Sequence, residues 1–410
     1  MSAEGPHRAR RAPTHLETRA ILAGRSENGR SLAAPLWATS TFESPTVEES
    51  LRLATSPRPK NFYSRYGNPT VRSFEDAVAD LEGAESAQAF ASGMGAISSL
   101  ILALCSSGDH IVAQRQLFSS TALLFQGVCP RFGIDVTLVD GTEPGALAAA
   151  VIPGRTVVVF VETPANPALQ LVDLDALAEL RGPLRVVDST FAGPMVQRPL
   201  EHGCDLVMHS ATKGLAGHND ATLGVLAGAD DLIQWIWSYS TIHGATASPY
   251  DSHNALRGIR TLPVRARQQS ESAQRVAEFL ERHPVVGRVF YPGLDSHPQR
   301  AVAKRQMANG GSMVSFELIG GWEAGRRFAE SVTLAHLAPS LGGPETLVTH
   351  PASTTAANLT AEERAAMGID DGLIRLSIGL EHPDDIVADL TAALAAVGAT
   401  TAPVERDPRP

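Results

Sequence analysis

Two charged residues stand where apolar runs end. Asp188 closes Val186-Val187-Asp188, and Lys213 closes His209-Ser210-Ala211-Thr212-Lys213, which follows Leu206-Val207-Met208. Residues 185–187 and 205–208 read as buried parallel strands. In open α/β sheets functional groups collect beyond the carboxyl ends of the strands. An amine after one strand can hold an aldehyde as a Schiff base, while an acid at the end of another keeps a pyridine nitrogen protonated. That pairing points to pyridoxal 5'-phosphate (PLP), with Ser210 and Thr212 in reach of its phosphate. Taken alone, the same residues also suit a solvated loop cation and a helix cap.

Four further stretches carry usable chemistry. Tyr63-Ser64-Arg65-Tyr66 precedes the turn pair Asn68-Pro69, after which a helix can begin near Thr70. Arg65 can bind a phosphate, with Tyr63 adding a hydroxyl; the two can equally stack on a surface loop. Ser92-Gly93-Met94-Gly95 opens an apolar helical stretch over 96–104, so free backbone N–H groups and the positive end of a helix dipole face any anion there. The third glycine of a dinucleotide fingerprint is missing, there is no Walker loop, and a small-residue helix start without a ligand fits as well. Asn166, in the turn Glu162-Thr163-Pro164-Ala165-Asn166-Pro167, can bond a ring substituent or only shape its own turn. Arg375 lies inside the apolar strand 373–378 and needs an anion. A substrate α-carboxylate, clasped by both guanidinium nitrogens, meets that need; so would a structural salt bridge to Glu381.

The elements that must position these residues follow from periodicity. Strand-like runs at 111–113, 157–161, 185–187 and 205–208 alternate with helical spacing at 121–128 and 174–180 and a short turn at Pro199–His202. This alternation predicts an α/β fold with a parallel sheet covered on both faces. A long helix over 265–282 leads to a smaller part with a strand at 313–318, a helix at 322–331, the strand 373–378 and a final helix at 384–397. The expected division is an N-terminal arm for oligomer contacts (1–60), with a solvated start and a short helix at 16–23; a large cofactor-binding domain (61–258); a small C-terminal domain (259–398); and a flexible tail (399–410).

Composition bounds the function. The 410 residues are 43% hydrophobic and 19% charged, as in a soluble enzyme. A formal net charge of −10 argues against a nucleic-acid surface. Cys105, Cys129 and Cys204 show no metal-ligand spacing and read as reduced, mostly buried thiols. Arg8, Arg10 and Arg11 are followed by no apolar segment, and no apolar run is long enough for a membrane, so a cytoplasmic enzyme is expected.

Together these stretches resemble the cystathionine γ-synthase/γ-lyase (Cys/Met metabolism) family of PLP-dependent enzymes, over about residues 15 to 398. The resemblance rests on Tyr-Ser-Arg-Tyr-Gly-Asn-Pro-Thr (63–70), Ser-Gly-Met (92–94), Val-Asp-Ser-Thr-Phe (187–191), His-Ser-Ala-Thr-Lys (209–213), Ser-Leu-Gly-Gly (340–343) and Arg-Leu-Ser-Ile-Gly-Leu-Glu (375–381). It implies the PLP-dependent transferase fold type I, with a mostly parallel central sheet flanked by helices and a smaller α+β C-terminal domain. It also implies a homotetramer made of tight dimers, acting on a small amino acid, with no metal. By resemblance, Lys213 is the Schiff-base lysine and Asp188 pairs with the ring nitrogen. Gly93, Met94, Ser210 and Thr212 hold the phosphate, and Tyr63 and Arg65 reach the neighbouring subunit's phosphate. Phe118 stacks on the ring, Asn166 lies by the ring hydroxyl, and Ser340 and Arg375 bind the substrate.

The family chemistry implied is γ-replacement or γ-elimination through a vinylglycine-type intermediate. Where the family usually has Tyr-Gly-Gly, this chain has Phe118-Ser119-Ser120. Phe118 resembles the O-succinylhomoserine sulfhydrylase branch, as does the stretch 291–298. A phenyl ring cannot protonate a leaving group, and a carboxylate (pKa about 4) needs less such help than a thiolate (about 8.5). The expected activity is therefore γ-replacement on a homoserine-derived amino acid with a good leaving group and a sulfur nucleophile. The alternatives are γ-elimination, as in a methionine or cystathionine γ-lyase, and a specialised γ-replacement that forms a C–C bond. A cofactor-less binding protein is the rival from another class. Pro339 stands where cystathionine-handling members tend to carry Glu, Gly214 where a Tyr or Phe is common, and Ala356 where the family usually has His. They imply an altered substrate pocket or neutral drift.

Overall fold

The computed structural model describes residues 15–398. The expectations for the solvated start and for the tail 399–410 fall mainly on residues outside that range.

A seven-stranded sheet forms the larger half. Its strands are β1 (Ser86–Phe90), β2 (His110–Gln114), β3 (Asp135–Val139), β4 (Thr156–Glu162), β5 (Leu184–Asp188), β6 (Leu206–His209) and β7 (Gly224–Gly228), in the order β1-β7-β6-β5-β4-β2-β3. Only β7 runs against the others. The continuous apolar runs of β4 and β5 arise because both faces of the sheet are covered. Val158, Phe160 and Val186 pack with Ile97, Leu100 and Phe125 on one side. Val159, Val161 and Val187 pack with Val112, Leu174 and Leu177 on the other.

The second sheet holds β8 (Val286–Phe290), β9 (Met313–Leu318), β10 (His336–Leu337), β11 (Leu347–Thr349) and β12 (Leu373–Ser377), in the order β10-β11-β12-β9-β8, antiparallel except for β10 with β11. Phe316, Ile374 and Leu376 meet Leu390 and Leu394 of the last helix, Pro383–Gly398. The helix Leu262–Glu281 joins the halves and sends Val276 and Leu280 into this second core. The expected division at residue 258 falls at the end of the preceding helix, Pro249–Ile259.

Some elements depart from their expected bounds. The run 121–128 is not one helix. It is a turn of helix at Ser119–Leu123, a wider π-helical turn at Leu124–Val128 and a tight turn at Cys129–Phe132. Pro130 explains this: it lacks an N–H, and its ring would collide with the carbonyl four residues back. The long helix starts at Leu262 rather than 265, with Pro263 in its first turn, where proline is tolerated. The helix over 174–180 stops at Ala178, ahead of Gly182 at φ +101° and Pro183. Unforeseen elements include β1, β3, β8, β10, β11, the helix Asp230–His243 and a helix at Val47–Thr55 that buries none of its residues. The three cysteines are free and buried. No helix among the described residues is long and apolar enough to cross a membrane.

Candidate active site

The carboxyl ends of β4, β5 and β6 meet the segment before β11 and the middle of β12. Asp188 is the last residue of β5, and its Oδ1 accepts from the Thr190 amide at 2.9 Å. It is buried, and no cationic side chain lies within 4 Å of it among the described residues. Burial pushes its carboxyl up, against the pull of Thr190.

Lys213 follows β6 in a turn closed by its own N–H donating to the Ser210 carbonyl at 3.0 Å. Its Nζ donates to Ser340 Oγ at 2.8 Å, and no acid pairs with it among the described residues. Burial, then the charge of Arg375, lower its pKa. A buried Arg265 braces the turn from behind: its guanidinium donates to the carbonyls of Gly214 at 3.0 Å and Gly258 at 2.8 Å.

The helix Gly93–Leu104 points its first turn at this loop. Ser92 Oγ caps Gly95 N–H, which leaves the Gly93 and Met94 amides without intrahelical acceptors. A Cβ on Gly93 would stand 3.0 Å from the Ser210 Cβ, so helix and loop are packed tightly at this glycine. The Thr212 hydroxyl is already engaged, donating to and accepting from the Leu223 backbone.

Arg375 lies in β12 and is buried. Its Nη1 donates to Asn166 Oδ1 at 2.7 Å, and its Nη2 to the Ser340 carbonyl at 3.0 Å and Thr349 Oγ1 at 3.2 Å. Nε has no partner. The expected alternative, an ion pair with Glu381, is absent because Glu381 spends both oxygens on the Thr346 amide and hydroxyl. Burial lowers the Arg375 guanidinium to about 10. The Phe118 ring is 38% exposed, and its amide is tied to the Glu162 carboxylate.

Not every expected residue joins this cluster. Arg65 donates to the Thr241 carbonyl at 2.6 Å and stacks 4.7 Å above the Tyr66 ring and 5.7 Å from the Tyr63 ring. Within one chain the pair is therefore the stacked surface loop named as its alternative. Two residues of the site went unread in the sequence. Arg265 passed as an ordinary helix residue. Glu162 passed as part of a turn, although an acid closing an apolar strand was the signal that found Asp188. A cleft of about 750 Å³, lined by Arg288, Phe290, His297, Glu317 and Trp322, lies apart from all of these.

The arrangement offers a buried acid without a cation, an amine without an acid, a helix start facing small hydroxyl residues and a guanidinium without a carboxylate. A pyridine aldehyde bearing a phosphate, together with an amino acid, satisfies all four.

Comparisons with known proteins agree. The family described as Cys/Met metabolism PLP-dependent enzyme matches residues 17–395. The chain is 44% identical to the L-methionine gamma-lyase of Porphyromonas gingivalis over 92% of its length and 96% of that protein. It is 42% identical to the O-succinylhomoserine sulfhydrylase of Pseudomonas aeruginosa over 93% of its length and 95% of that protein. Among solved structures, cystathionine gamma synthase from Xanthomonas oryzae pv. oryzae, in complex with aminoacrylate and cysteine, aligns with a TM-score of 0.88 at 38% identity, covering 95% of this chain and 100% of that one.

Proposed function

The chain belongs to the Cys/Met metabolism family of PLP-dependent enzymes, with its type I fold, and we propose that it catalyses γ-replacement on a homoserine-derived amino acid carrying a good leaving group, with a sulfur nucleophile. PLP, when bound, supplies the electron sink that makes the Cα and then the Cβ protons of an amino acid acidic. Asp188 keeps the proton on the ring nitrogen. Gly93, Met94 and Ser210 present donors to the phosphate, with Thr212 beside them. Lys213, its amine lowered by burial, takes the Cα proton and carries protons onward, and Ser340 orients its Nζ. Arg375 and Ser340 hold the substrate carboxylate. Asn166 positions the Arg375 fork.

Phe118 is the observation that carries the choice between reactions. Its ring can stack on the cofactor but brings no proton to a leaving sulfur, which favours an ester that leaves as a carboxylate. The rival, γ-elimination, draws support from the similarity to proteins named L-methionine gamma-lyase. Lys213, Asp188 and Arg375 serve both reactions, as they would serve a carbon nucleophile.

A product assay on PLP-loaded protein separates them. O-succinylhomoserine, O-acetylhomoserine, methionine and cystathionine are each offered with and without sulfide or cysteine. Homocysteine or a thioether that forms only with added nucleophile is the expected result. 2-Oxobutanoate from methionine, indifferent to nucleophile, would make the protein a lyase. Lys213→Ala should abolish either product.

A further inference from the structure

Glu162 has no part in the roles above, yet it stands at their junction. It ends β4 in register with Asp188 on the adjacent parallel strand, so the two side chains share a face of the sheet. Its Oε2 accepts the Phe118 amide at 2.7 Å and its Oε1 accepts the Asn166 amide at 2.8 Å. Asn166 in turn receives Arg375 Nη1 at 2.7 Å. The carboxyl is buried, and no cationic side chain lies within 4 Å of it among the described residues. One carboxyl thus spans the segment that begins at Phe118, the turn at Asn166 and, through that turn, Arg375. Burying an acid without a cation is costly, so packing alone is a poor reason to keep one here.

We propose that Glu162 is the positioning residue of this site, locking the ring-stacking Phe118 to the Asn166–Arg375 clasp so that cofactor plane and substrate carboxylate keep a fixed relation. The proposal rests on the roles given to Phe118 and Arg375 above. Its charge state matters as much as its geometry. Burial first, then the neighbouring Asp188, push its carboxyl up to about 8, against the two amides and Arg375. Glu162 therefore holds its proton to a higher pH than an ordinary carboxyl does. The negative charge beside the ring is then left to Asp188, and Arg375 keeps its full attraction for a substrate carboxylate. As pH rises through about 8, a second negative charge appears between the two. Asp188 on β5 and Arg375 on β12 are the charged groups that act on it, with His209 acting on Asp188 and Lys213 feeling Arg375.

Two substitutions in the full, PLP-loaded chain separate the two functions of this carboxyl. Glu162→Gln keeps the size but cannot ionise. Glu162→Asp ionises but is one methylene too short to reach both amides. In the wild type, the KM for the amino-acid substrate should rise as pH passes about 8. Glu162→Gln should lose that rise. Glu162→Asp should keep it, while kcat/KM falls about 10- to 100-fold, the visible band of the bound cofactor shifts and more cofactor is lost on dialysis. If Glu162→Gln misfolds by circular dichroism, Glu162→Asp decides alone. The proposal is overturned if Glu162→Asp matches the wild type in band, retention and kcat/KM, if Glu162→Gln keeps the wild-type pH dependence, or if neither variant folds. Wild-type protein that binds PLP without a visible band abolished by Lys213→Ala would instead overturn the site reading, and this proposal with it.

Discussion

Arg375 is a buried guanidinium hydrogen-bonded only to neutral oxygens, and its Nε has no partner among the described residues. Such a group waits for an anion. If that anion is the substrate carboxylate, Arg375→Lys keeps the charge but loses the planar fork. The KM for the amino acid should then rise about 10- to 100-fold, since charge-assisted bidentate pairs are among the strong ones. Steady-state kinetics would show it, and an unchanged KM would place the carboxylate elsewhere. Phe118→Tyr tests the other half of the substrate. It adds one hydroxyl beside the leaving group, and the release of 2-oxobutanoate from methionine should increase tenfold or more if the phenyl ring is what withholds the proton. No gain would mean that the leaving group is met from another side. Lys213, Asp188 and Arg375 were legible in the sequence because each puts a charge where an apolar run makes charge expensive. Glu162 obeys the same rule, but the Thr163-Pro164 that follows it reads as a turn. Its meaning also depends on β4 lying beside β5, and adjacency of that kind is long-range.

Elements place these residues through two close approaches at glycines. One is Gly93 against Ser210. The other is Gly342, at φ +75°, whose missing Cβ would stand 2.6 Å from the Gly214 nitrogen and 3.1 Å from the Lys213 carbonyl carbon. Ser340, two residues earlier, holds φ +91°, a costly conformation for a side-chain-bearing residue, and it is the partner of Lys213 Nζ. Gly342→Ala should therefore push the 340–342 segment and the Lys213 turn apart. Stability should fall by about 1–3 kcal/mol, and bound cofactor should be lost faster on dialysis. A variant with wild-type melting temperature and retention would show that the two segments move independently. Glycine at 214 meets nothing within 4 Å of its own missing Cβ, so an aromatic ring there has room to start. Ala356, by contrast, is packed into an apolar cluster with Phe191 and Leu341, where a histidine would need a polar partner. Periodicity found the core strands β4, β5, β6 and β9 within a residue or so, because burial on both faces writes itself into the sequence. It missed the helix Val47–Thr55 because that helix buries nothing within its own chain.

At the scale of the whole molecule, that unburied helix has company. Leu32, Val47, Leu51, Ile242 and Tyr250 are all exposed, Ile242 by 85%. Arg65, bonded to the Thr241 carbonyl, is anchored next to Ile242. Large exposed apolar side chains of this kind are ones that a subunit interface would cover. In the homotetramer of tight dimers that the family resemblance implies, a second copy of the chain would bury such side chains and carry Tyr63 and Arg65 towards the neighbour's phosphate. If Arg65 acts across that interface, each site needs Lys213 from one subunit and Arg65 from the other. Lys213→Ala and Arg65→Ala should then each be inactive or nearly so when purified alone. Mixing them into hybrids restores one complete site per dimer, built from the Lys213 of the Arg65→Ala subunit and the Arg65 of the Lys213→Ala subunit. Recovered activity in tagged, co-expressed hybrids is the expected outcome. If Arg65 instead serves its own chain, or only stacks on Tyr66, no hybrid contains a complete site that its parents lack, and mixing recovers nothing.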